Sequence, residues 1–220
     1  MDTAPSSGST GESETLSYAK EVAEWRVKSG FWRLREIITD IAELIEDENS
    51  EITATHARAK AREIVNSFWQ TQLRAQATWP EGEDTVSEKL ECAFDTLEHD
   101  QKILARMNYT CCRTCGVAEI GGDGNEDAQG YVFFHEQGTK GLVSSGRVFL
   151  YFGAFTESKS ENEAIGRAVV ESLRGEGLSV EWTGDVNTAI EVDCGEWRKH
   201  LDSDEEDDER ENGEDEGDEE

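Results

Sequence analysis

Apolar residues recur at three- and four-residue steps through the first half of the chain and then give way to short continuous or alternating runs, so the period changes from helix to strand part-way along. From Leu16 to Glu46, Val22, Ala23, Leu34, Ile38, Ile41 and Ile45 keep the helical step, broken at Ser29-Gly30, and predict two helices. A third is predicted from Thr53 to Thr78 on the face made by Ile64, Val65, Phe68 and Leu73. Trp79-Pro80 ends it, because proline disfavours helix in the residue before it. Asp84 stands where a cap is needed for a fourth, which carries Val86, Leu90, Ala93, Phe94 and Leu97 along one side.

Beyond Asp100 the runs Tyr131–His135 and Val148–Phe152 are aromatic and β-branched and bounded by glycines, the pattern of strands. Ser160 to Glu163 reads as a capping box, followed by a helix with Ala164, Ile165, Ala168, Val169 and Leu173 on one face and Gly175 and Gly177 at its end. Leu178–Trp182 and Ala189–Val192 alternate apolar and polar residues around the turn chemistry of Thr183-Gly184-Asp185. The prediction is an α+β fold in one compact body, with the N-terminal helical half packed on a small sheet of β-β-α-β-β order. Its helical region spans residues 15–83 and its α+β domain residues 84–201. Residues 1–14 and 202–220 are too poor in apolar side chains to offset ordering entropy and are expected to be disordered.

Charge narrows the function classes. The net charge of the 220 residues is −29, and the tail from Asp202 to Glu220 holds 14 acids and one Arg, hence −13. A surface of that sign repels phosphate backbones and anionic lipid, so no nucleic-acid or membrane partner is expected and a basic protein partner is. No apolar run is long enough to span a bilayer, and Met1 to Glu14 has neither the basic nor the apolar region of a secretory signal, which points to an intracellular, cytoplasmic protein.

Chemistry concentrates in Asn108-Tyr-Thr-Cys111-Cys112-Arg-Thr-Cys115-Gly116. Two cysteines two apart can set both sulfurs on one metal, and a glycine after the second allows a tight turn whose amides reach them, as in a zinc knuckle. A closed site needs four ligands. With no second Cys-x-x-Cys in the chain, the candidate set is Cys111, Cys112, Cys115 and His135, with zinc as the cofactor, and His135 as the donor that a folded-back glycine-rich loop would bring. Cys112 and Cys115 also form a dithiol motif with Arg113 beside it to lower a thiol pKa. That reading wants a strand-to-helix junction, whereas the period predicts a helix before the motif and a glycine-rich loop after it. A third reading leaves all three thiols packed beneath the loop as small apolar groups. His135 with Glu136 and Gln137 is open as an acid/base set or as solvated polarity at a strand end.

The segments Ala93-Phe94 with Leu97, Asn108 to Gly116 and Gly130-Tyr-Val-Phe-Phe-His-Glu-Gln137 together resemble the mainly bacterial family known as domain of unknown function 6891. The likeness continues through Leu150–Phe155, Ile165-Gly166, Val169-Val170 and Gly177–Trp182, over roughly residues 84–198. It implies no activity. It does imply that the cysteine cluster and the His135 segment belong to one domain, and since the family often has Asp where this chain has Gly138, a His-Asp pairing loses its partner here. The functional expectation is a non-enzymatic, acidic protein acting by protein–protein binding, regulatory or immunity-like. The alternative is a zinc- or thiol-dependent protein centred on the three cysteines.

Overall fold

The computed structural model describes residues 8–80, 82, 84–122, 127–156 and 158–202. Where the sequence led us to expect one body, they form two compact units, one of residues up to 79 together with residues from 200 onward, the other of residues 80–199. The disorder expected of residues 1–7 and 203–220 lies outside the described residues.

The first unit holds α1 (Gly8–Ser29), α2 (Leu34–Glu48) and α3 (Ala54–Gln76). α1 starts ahead of Leu16, so Gly8 to Glu14 are helical rather than disordered. Its Ala19, Val22, Ala23 and Val27 meet Ile37, Ile41 and Ile45 of α2 and Ala61, Val65 and Trp69 of α3 in one core, each set spaced to fall on one helix face. Gly30 takes the left-handed conformation (φ 72°) that separates α1 from α2. Arg26 lies over the rings of Trp25 and Trp32 and pairs with Asp40. Far along the chain, Leu201 enters this same core, its N–H donating to Gln76 Oε1 at 3.1 Å. No helix among the described residues is long and apolar enough to cross a membrane.

The second unit runs α4 (Val86–Gln101), β1 (Ile103–Arg106), α5 (Arg113–Glu119), β2 (Gly130–Phe133), α6 (Glu136–Ser145), β3 (Arg147–Ala154), α7 (Lys159–Gly175), β4 (Ser179–Glu181) and β5 (Ile190–Asp193). The predicted β-β-α-β-β series is β2, β3, α7, β4 and β5, and the fold is α+β. Added to it are β1, α5 and α6. Five strands make one mixed sheet in the order β1-β2-β3-β5-β4, with β1 parallel to β2 and the other pairs antiparallel. The register sets Val132 opposite Phe152 and Phe133 opposite Tyr151. Alternation therefore sends Val132, Phe152, Leu150 and Val192 to one face and Tyr131, Phe133 and Tyr151 to the other.

α7 covers the first face, so closely that a Cβ on Gly166 would lie 2.8 Å from the Phe152 ring. Beneath the second face Phe133, Leu104 and Ile120 form a smaller core with Tyr109, Tyr131 and Tyr151 around it. Two caps differ from expectation. α4 is capped by Thr85, in a capping box with Glu88, rather than by Asp84, and α7 by Ser158 rather than Ser160.

Candidate metal and thiol centre

The unit that positions the cysteines is β1, α5 and β2, a crossover between parallel strands. The loop from Arg106 to Cys112 that feeds α5 is tied to the residues after β2. Phe134 N–H donates to Arg106 O (3.2 Å), Tyr109 N–H to Phe134 O (2.8 Å) and Glu136 N–H to Thr110 O (3.1 Å). The buried Thr139 hydroxyl donates to Asn108 Oδ1 at 2.7 Å. Asn108 and Thr110 hold positive φ angles of 52° and 54°, and a β-branched residue adopts that conformation only when its surroundings impose it. The loop that carries Cys111 and Cys112 to the start of α5 therefore has a fixed shape.

Cys112 is the N-cap residue of α5, Cys115 sits one turn in, and Cys111 precedes them. The sulfurs of all three lie within 4.8 Å of one another, and Cys111 Sγ–H donates to Cys115 Sγ at 3.5 Å. These three residues could hold a metal ion. They are not packed away, since Cys111 is exposed and Cys112 and Cys115 are half-buried. Cys112 makes no regular side-chain cap bond, yet the Cys115 amide and then the Cys115 side chain hold its thiol below the ordinary value. The Cys115 thiol is pushed up to about 12, first by its hydrogen bond with Cys111 and then by that with Cys112. Because the two thiols interact, their protons come off in steps that belong to the pair.

His135 is not brought into the three-cysteine group. β2 stops at Phe133, and His135 is the N-cap of α6, where Nδ1 accepts from Gly138 N–H at 3.2 Å. Its buried ring stacks on Tyr151 with centroids 5.4 Å apart. Burial and, after it, the Arg113 charge lower its pKa. The Arg113 guanidinium lies over the Tyr151 ring at 4.8 Å, and the leading causes that lower the Cys112 thiol are its hydrogen bonds to Cys115. Gly116 has a different role from the predicted turn: it is helical, and a Cβ there would lie 2.4 Å from Phe133 Cε2, so its bare Cα lets α5 sit down on the sheet. Cys92 is exposed on α4, and Cys194 is buried after β5 with its thiol pushed up to about 12 by that burial.

A family model described as a domain of unknown function, DUF6891, matches residues 12–201. The chain belongs to that family. No curated protein and no solved structure matches it. The DUF6891 span covers the described helices of the first unit almost entire and all of the second, so it includes the three cysteines, Arg113, His135 and Tyr151. Sequence reasoning passed over Tyr151 and Asn108. Tyr151 carried a usable signal, since it stands at the alternate strand positions that place it opposite Phe133.

Proposed function

We propose that this chain is a thiolate metal-binding protein whose ion is zinc, held by Cys111, Cys112 and Cys115. The observation that carries the reading is the mutual approach of the three sulfurs to within 4.8 Å. A tetrahedral zinc with bonds of about 2.3 Å needs sulfurs roughly 3.8 Å apart, and Cys111 and Cys115 stand at 3.5 Å. An all-sulfur donor set suits zinc and other soft ions rather than calcium or magnesium. Where a protein supplies three ligands, the fourth position is open to water or to a donor from elsewhere, and the exposure of Cys111 leaves such a donor access. An intracellular setting fits, because reducing conditions keep the thiols available. The net charge that motivates a basic partner belongs to the whole chain and picks out no residue, whereas the cysteine group picks out a site.

Metal analysis of the untagged, freshly purified chain tests this. The expected result is near one zinc per chain, lost in Cys115→Ser and kept in His135→Ala. A wild-type protein that neither carries zinc nor retains it after incubation and desalting overturns the proposal.

A further inference from the structure

We propose that Cys112 and Cys115 are also a redox dithiol that reduces disulfides by exchange, Cys112 being the attacking sulfur and Cys115 the resolving one. This goes beyond the metal reading and needs no ion. The sequence argued against it because its period predicted a helix before the motif and a glycine-rich loop after it. The structure places a strand ahead of the motif: β1 precedes the Cys-x-x-Cys across the loop of residues 107–111, α5 starts on it, and β2 returns parallel to β1, which is the context in which such a motif works as a dithiol. Residues at the N-cap and third helical positions have Cα atoms about 5 Å apart by helix geometry, inside the range a disulfide spans. Both sulfurs are half-buried and belong to the one close group. The roles follow from placement. Cys112 is the N-cap at the start of α5, while Cys115 lies one turn in with the Cys111 sulfur 3.5 Å from its own.

The substrate is a disulfide, RSSR′, which is the oxidant. The Cys112 thiolate attacks one sulfur, the S–S bond breaks, and R′S⁻ leaves and takes a proton from water. Cys115 then gives up its proton and attacks Cys112 Sγ in the mixed disulfide. RSH leaves, and the Cys112–Cys115 disulfide remains. Two electrons pass from the dithiol to the substrate, and one S–S bond replaces another.

The test uses the full chain after chelator treatment, with metal content measured on the same samples. Glutathione disulfide is added, the reaction is quenched with acid, free thiols are alkylated, and the products are mapped by mass spectrometry. We expect a Cys112–Cys115 disulfide in the wild type, a glutathione adduct held on Cys112 in Cys115→Ser, and exchange at Cys112 about tenfold or more faster than at exposed Cys92. The wild-type map and rates stand even if a variant fails to fold. A wild-type disulfide that pairs Cys111 instead, or exchange at Cys112 no faster than at Cys92, overturns the proposal. Zinc binding without exchange sinks this inference and leaves the metal reading intact, and exchange in a chain that never holds zinc does the reverse.

Discussion

Gly116 and His135 show how single residues hold the cysteine loop in place. With a Cβ 2.4 Å from Phe133 Cε2, Gly116→Ala must push α5 off the sheet or turn the ring. The expected loss is about 1–3 kcal/mol, as for other overpacked cores, seen as a lower guanidinium midpoint with an unchanged slope. His135 ties stability to pH through its cap. Only the neutral ring offers Nδ1 to Gly138 N–H, and burial holds its pKa below the ordinary 6.5. The sign is that of a depressed pKa: the contribution is full above the unfolded value and is lost as pH falls through the folded one. Unfolding measured in steps from about pH 7 to 5 should show wild type losing stability relative to His135→Asn, which caps without titrating. Parallel curves for the two proteins would remove His135 as the cause.

At the level of elements, the N-caps are predicted to carry measurable weight. Thr85 Oγ1 accepts from Glu88 N–H while Glu88 reaches back to the Thr85 amide at 2.6 Å, so Thr85→Ala should cost about 1 kcal/mol and Asp84→Ala much less, both read from chemical denaturation. Elements with a strong period were legible in the sequence: the stripes of α2, α4 and α7 and the runs of β2 and β3 fall where the pattern put them. The three that were missed share a physical reason. β1 is four residues, Ile-Leu-Ala-Arg, joined to α4 through a left-handed Lys102, so its apolar residues look like a further helical turn. α5 spans seven residues and α6 contains two glycines, and neither has enough residues of good propensity to announce a helix. Missing β1 cost more than one strand, because it hid the β1-to-α5 connection that carries the Cys-x-x-Cys. The three cysteines were legible as a group from spacing alone. The place of His135 was not, because a helix cap and a strand end look alike in the run Phe-Phe-His-Glu-Gln.

For the whole molecule, a net charge of −29 with a pI near 4.3 means that folding gathers like charges together. Added salt screens that repulsion, so the midpoint of thermal unfolding should rise between low ionic strength and about 0.5 M sodium chloride, against the fall expected where ion pairs dominate. Calorimetry at fixed pH decides it. The path of the backbone has an effect on the order of events during synthesis. Residues 80–199 are inserted between α3 and the segment that finishes the first unit, and Trp79 and His200, on either side of the insertion, meet with ring centroids 4.9 Å apart. Leu201 is a core residue of the three-helix unit, yet it leaves the ribosome only after all of the second unit has been made. The part of the protein translated first is therefore completed last, and until then its nascent helices wait with a gap in their core.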